Sequence, residues 1–301
     1  MSRHTRSAPI EVNAALLRRW QLAGVEAAAD KEARGVILVI AGSRELAGAA
    51  RLAATACLRA GAGKLVVATA ASIAPGLALV LPEARVVALP ETRAGGLSAA
   101  GLERVEPLLE QIDAILVGPG LADERATKSF VKGVLARSAG VPLVLDALAI
   151  GVAPALAGCD RPVLLTPHAG EMAHLTGLSK ETILADPQRH AQRLARDLNA
   201  VVALKGASTI IAAPDGRCWR HAKALPGLAT SGSGDVLAGI AAGLAARGAE
   251  AAQAAAWAVW LHSQAATALQ RRFGPLGYLA RELAAEVPGL LRRLRPGGRQ
   301  T

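Results

Sequence analysis

The chain has 301 residues, enough for one large α/β domain or two smaller ones with an ample core. Apolar residues make up 52% and aromatics only 2%, so the core is built from Ala, Leu, Val and Ile, which suits close helix-on-sheet layers. The net charge of +10 raises nucleic acid as a partner, but the arginines are scattered and their densest run, LLRRLRPGGR (290–299), has no interleaved aromatics; a basic enzyme with anionic ligands is favoured.

In chain order, the opening MSRHTRSAPIEVN has no apolar stretch of the secretory kind, and residues 1–35 read as a leading arm or helix. From residue 36, short runs of Val, Ile and Leu recur: VILVIA (36–41), KLVVA (64–68), RVVAL (85–89), AILVG (114–118), PLVLD (142–146), PVLLT (162–166) and VVALK (201–205). Continuous apolar runs mark strands buried on both faces, as in a parallel sheet. Helical stretches lie between many of them, at 45–60, 102–112, 123–137 and 187–198. Alternation of this kind predicts right-handed βαβ units and a doubly wound sheet. STIIAAP (208–214) and RCWRHA (217–222) then form a hairpin about Pro214-Asp215-Gly216, followed by helices at 236–247, 251–271 and 279–293. One domain over 36–295 with a tail at 296–301 is expected. No run of 18 apolar residues occurs, so a soluble, cytoplasmic protein is expected. Cys57, Cys159 and Cys218 are far apart, so neither a disulfide framework nor a zinc site is indicated.

Ligands of open α/β sheets bind beyond the carboxyl ends of the strands. Small polar residues gather there in this chain: Gly42-Ser43, GPG (118–120), Asp146, TPHAGE (166–171) and KGAST (205–209). The stretch TSGSGDV (230–236) opens a helix. A plain cap needs one Ser, Thr, Asp or Asn and does not need Gly232 and Gly234 as well. The favoured reading is an anion hole made by the N–H groups of residues 232–235, with Asp235 as a catalytic base beside it. Lys205 sits at a strand end and suits a phosphate contact. In TPHAGEM (166–172), His168 and Glu171 share a helix face, and spacing alone favours a capping interaction over a metal site. RAGAGKL (59–65) is not a phosphate loop, because Leu58 and Leu65 stand where a Gly and a Ser or Thr belong. Gly61 and Gly63 read as a helix end and a turn.

Taken together, GSRELAGAARLAATACLRAGAGKL (42–65), AILVGPGL (114–121), LVLDALA (143–149), LLTPHAGEMAHLTG (164–177), VALKGASTIIAAPDG (202–216) and PGLATSGSGDVLAGIAAGLAARG (226–248) resemble the NAD(P)H-hydrate dehydratases of the ribokinase-like superfamily. The resemblance spans about residues 36–270. It implies a three-layer α/β/α sandwich with a mostly parallel central sheet. It implies repair of hydrated NADH or NADPH: the ring hydroxyl is phosphorylated from ADP, then phosphate is eliminated, leaving AMP. By resemblance, Asp235 is the base; Lys205, Gly206, Ala207, Ser208, Thr209, Gly232, Ser233 and Gly234 hold the nucleotide; Ala49, Gly118, Gly120 and His168 line the substrate site; and Mg2+ accompanies the nucleotide with Glu171 nearby. It also implies a homo-oligomer with an NAD(P)H-hydrate epimerase as functional partner, here without that domain in the chain. Leu148 stands where the family has a second acidic residue, Leu225 where it often has Asn, and Ser231 and Ser233 where Gly and Thr are common. The rival readings are an ATP-dependent kinase of a small alcohol with the same fold, and a non-enzymatic nucleotide- or nucleic-acid-binding protein.

Overall fold

The computed structural model describes residues 8–24, 30–156 and 161–294. The tail at 296–301 and Cys159 lie outside the described residues. The chain runs β1 (Ile10–Glu11), α1 (Ala14–Arg19), β2 (Val36–Ile40), α2 (Ala47–Arg59), β3 (Lys64–Ala70), α3 (Ala74–Val80), β4 (Ala84–Leu89), α4 (Leu102–Val105), β5 (Ala114–Val117) and α5 (Glu124–Arg137). It continues through β6 (Leu143–Leu145), β7 (Val163–Leu165), α6 (Ala169–Thr176), α7 (Lys180–Ala185), α8 (Pro187–Leu198), β8 (Val201–Leu204), β9 (Thr209–Ala212), β10 (Cys218–His221), α9 (Ser233–Ala246), α10 (Ala251–Phe273) and α11 (Ala280–Leu294).

The ten strands of the described residues join one sheet in the order β1-β10-β9-β8-β7-β6-β5-β2-β3-β4. From β8 to β4 every pairing is parallel, and β9 runs antiparallel to both its neighbours. The central strands β2, β5, β6, β7 and β8 are apolar on both faces because both are covered. Along β2, Ile37 and Val39 point into one core layer, while Leu38 and Ile40 point into the other. Helices α2, α9, α10 and α11 fill the first layer; α5, α6 and α8 fill the second. The three-layer, mostly parallel architecture is the one expected.

The hairpin turns as predicted, with Gly216 at φ 93°. The leading arm does more than precede the domain: β1 extends the sheet by pairing parallel to β10. Three differences have local causes. The expected helix at 102–112 stops after Val105 and tightens into a 3-10 segment around Pro107, which lacks an N–H. Helices α3 and α7 are too short, at 7 and 6 residues, to show a clear period. Helix α9 begins at Ser233, three residues before the apolar run, so Asp235 lies in its first turn.

Helix α9 owes its position to glycine. A Cβ at Gly239 would stand 2.3 Å from the Ala53 carbonyl oxygen, and one at Gly243 would stand 2.5 Å from that of Cys57. The two glycines are four apart and face α2, so the helices meet backbone to backbone. Packing that close holds the N-terminus of α9 over the strand ends.

Candidate functional site

Strand order reverses between β5 and β2, the place where an open α/β sheet leaves a crevice. The loops leaving these strands interlock: Gly42 N–H donates to the Pro119 carbonyl at 2.8 Å, and Gly118 N–H to that of Ile40 at 3.1 Å. Gly118 has φ 132°, and a Cβ there would lie 1.8 Å from the Asp146 carbonyl oxygen. Gly120, at φ 66°, would place a Cβ 2.7 Å from that of Ala49. The crevice thus brings together Ala49, Gly118 and Gly120, and only glycine fits at its floor.

The N-terminus of α9 lies in the same region. Gly232 caps it with φ 86° and no side-chain acceptor. The Ser233 N–H donates to the Thr230 carbonyl at 3.3 Å, and Val236 N–H to that of Gly232 at 3.2 Å. Of the four N–H groups expected to form the anion hole, that of Ser233 is engaged, while those of Gly232, Gly234 and Asp235 meet no backbone acceptor there. Ser233 is buried and its hydroxyl lies 3.0 Å from His262 Nε2. That nitrogen is also 3.0 Å from the Ser233 carbonyl, which can only accept, so Nε2 carries the proton. Burial foremost, and the Lys205 charge, push His262 down to about 4, and it is neutral at pH 7.

Four charged side chains converge beneath this helix end. Lys205 Nζ donates to Asp146 Oδ1 at 2.9 Å and lies 3.9 Å from Glu171 Oε2. Asp146 is 3% exposed and also accepts from Thr166 Oγ1 at 2.7 Å. Burial works against the Lys205 charge, but Asp146, Glu171 and Asp235 together raise its pKa, so the ammonium is secure. Asp235 is raised to about 6, first by burial and then by the charges of Asp146 and Glu171, with Lys205 opposing. A carboxyl poised this close to neutrality suits a general base.

His168 and Glu171 form the capping box that spacing favoured. His168 Nδ1 accepts from the N–H groups of Gly170 and Glu171 at 3.0 and 3.1 Å, and Glu171 Oε2 accepts from His168 N–H at 2.8 Å. His174 faces away, 3.6 Å from Glu124. Among the described residues no three metal-ligating side chains could hold an ion together. Lys205 already supplies the cation between Asp146 and Glu171. A protein-built magnesium cage does not fit here; an ion carried by nucleotide phosphates, with Glu171 as a single neighbouring carboxylate, does.

A cavity of about 590 Å³ opens beside the cluster. It gathers Lys205, Gly206, Ala207, Thr209, Ser233, Gly234 and also His168 from the expected set. Ala49, Gly118, Gly120, Glu171, Ser208, Gly232 and Asp235 do not line it, and the Ser208 hydroxyl is buried without a partner. The sequence reading gave no role to Asp146, His221, Thr230, His262 or Ser263. Asp146 was visible as a polar strand end and Thr230 as the first residue of TSGSGDV; His221, His262 and Ser263 carry no local motif.

The model of the NAD(P)H-hydrate dehydratase family matches residues 37–289. The chain belongs to that family. It is 47% identical over 269 residues to the ADP-dependent (S)-NAD(P)H-hydrate dehydratase of Xanthomonas campestris, covering 89% of this chain and 92% of that one. It is 41% identical to a bifunctional NAD(P)H-hydrate repair enzyme of Moorella thermoacetica, of which it spans about half, 53%. The crystal structure of the ADP/ATP-dependent NAD(P)H-hydrate dehydratase of Bacillus subtilis, co-crystallised with ATP and Mg2+, superposes with a TM-score of 0.83 at 31% identity, covering 95% and 99% of the two chains. The fold is the ribokinase-like one.

Proposed function

We propose that this chain is an ADP-dependent (S)-NAD(P)H-hydrate dehydratase that restores hydrated NADH and NADPH, releasing AMP and phosphate. The observation that carries the mechanism is the setting of Asp235. It stands in the first turn of α9, raised to about 6, beside Lys205 and the free N–H groups of the helix start. Asp146 connects the two halves of the site, its carboxylate on Lys205 and its backbone against Gly118.

In this reading the nucleotide occupies the cavity on Lys205, Gly206, Ala207, Thr209, Ser233 and Gly234, with Ser208 and Gly232 next to these in the chain and outside the lining. The hydrated nicotinamide ring lies in the crevice of Ala49, Gly118 and Gly120, with His168 at its edge. Asp235 accepts the proton of the ring hydroxyl. The oxygen bonds to the terminal phosphorus of ADP as the bond from that phosphorus to the AMP oxygen breaks. Lys205 and the N–H groups of Gly234 and Asp235 stabilise the charge on the transferring oxygens. The ring phosphate then departs with the C–O electron pair, the adjacent ring carbon loses a proton, and the double bond is restored. Mg2+ carried by the donor would supply further charge neutralisation, with Glu171 the side chain that would face it.

The same reading takes the domain as residues 36–295, working in the cytoplasm as a homo-oligomer alongside an NAD(P)H-hydrate epimerase. Asp235→Asn tests the assignment. Turnover should fall by about 10²–10⁴-fold, the range of a lost general base, with AMP binding retained; near-wild-type turnover would remove Asp235 from the role.

A further inference from the structure

We propose that His221 selects adenine, accepting a hydrogen bond from its 6-amino group, and that the N-terminal arm holds the imidazole in the tautomer this requires. The proposal rests on the nucleotide reading of the cavity and names the residue that distinguishes one base from another.

Strand β10 ends at His221, on the cavity wall. His221 is 8% exposed, and its Nδ1 lies 2.9 Å from the Val12 carbonyl oxygen, which can only accept. Nδ1 therefore carries the proton. Burial, opposed by the Val12 bond and Glu11 but reinforced by Lys223, lowers its pKa and keeps the ring neutral. Nε2 is left as an acceptor, and it is buried with no partner. The Ser263 hydroxyl, on the same cavity, is buried and unpartnered too. Unmet polar atoms of this kind are costly unless a ligand meets them. Leu225, Leu228, Leu237 and Val259 supply apolar walls suited to a flat base.

An acceptor rewards a donor. Adenine offers an amino group at position 6; hypoxanthine and guanine offer a carbonyl there, which would set lone pair against lone pair. The imidazole cannot turn over to offer N–H without losing Val12. Val12 is itself fixed. β1 pairs with β10, Trp20 stacks on Trp219 with centroids 5.3 Å apart, and Glu11 pairs with Arg220.

The test is calorimetric titration of the full chain with AMP and with IMP, which differ at position 6. Wild type should bind AMP at least about tenfold more tightly, the order expected when a site is built around one hydrogen bond. His221→Phe should weaken AMP to the level of IMP and leave IMP unchanged. His221→Gln, whose amide can present either end, should bind the two within about threefold of each other. Equal wild-type affinities, binding of neither nucleotide, or a preference that survives His221→Phe would overturn the proposal. The wild-type ratio decides even if the Phe variant fails to fold. Recovery of hydrate with ADP is scored separately: recovery without an AMP preference sinks the role of His221 alone, and a His221-dependent preference without recovery sinks the dehydratase reading alone.

Discussion

Asp235 is charged at a cost the fold does not recover from its neighbours. Its pKa is raised from 3.8 to about 6, so the folded protein holds a proton there that the unfolded chain releases. Stability is therefore lost as pH rises from about 4 to about 6, and the penalty is complete above that window. Asp235→Asn should unfold about 2 °C higher than wild type at pH 7.5, with the gain vanishing near pH 4. An equal or lower melting temperature at pH 7.5 would mean the charge is not strained. With Asp235 as the proposed base, the same value sets the acid limb of catalysis. Proton abstraction needs the carboxylate, so kcat/KM should rise through a pH of about 6 and then level; a limb near 4 would place the base elsewhere. Lys205 has a structural role besides any phosphate contact. Replacing it with Met strands the buried Asp146 charge and should cost about 3–5 kcal/mol in urea unfolding. Adding Asp146→Asn should recover part of this, and a simple sum of the two effects would contradict the ion pair.

At the scale of elements, the central strands were legible because burial on both faces demands unbroken apolar runs, and VILVI or AILV leave little choice. The start of α9 was not. Gly232 begins it through a left-handed φ rather than a capping side chain, a device that sequence does not advertise. The capping box at His168 was legible because both partners sit three residues apart. The Lys205–Asp146 pair spans 59 residues and the His221–Val12 bond spans 209, so only the assembled sheet reveals them. Gly239 and Gly243 set how closely α9 meets α2, a role that shows only once the two helices are packed. Gly239→Ala places a methyl against the Ala53 carbonyl, and should destabilise the fold by about 1–3 kcal/mol and lower turnover by tilting Asp235. Wild-type stability and turnover in this variant would show that the helix spacing is not critical.

For the whole molecule, sheet order makes the site. Reversal between β5 and β2 opens the glycine crevice, the hairpin of β9 and β10 walls the nucleotide cavity, and α9 caps the junction with Asp235. The polar residues converge on this end of the sheet, and the net charge of +10 is spread over scattered arginines. That distribution fits anionic small molecules better than a nucleic-acid track. The most direct test is recovery of the reduced-nicotinamide absorbance when the protein meets fresh NADH hydrate and magnesium, with ADP in one cuvette and ATP in the other. Full recovery with ADP, matched by equal AMP and inorganic phosphate, is the predicted result. Accumulation of a stable phosphate ester, or no recovery with either donor, would contradict it.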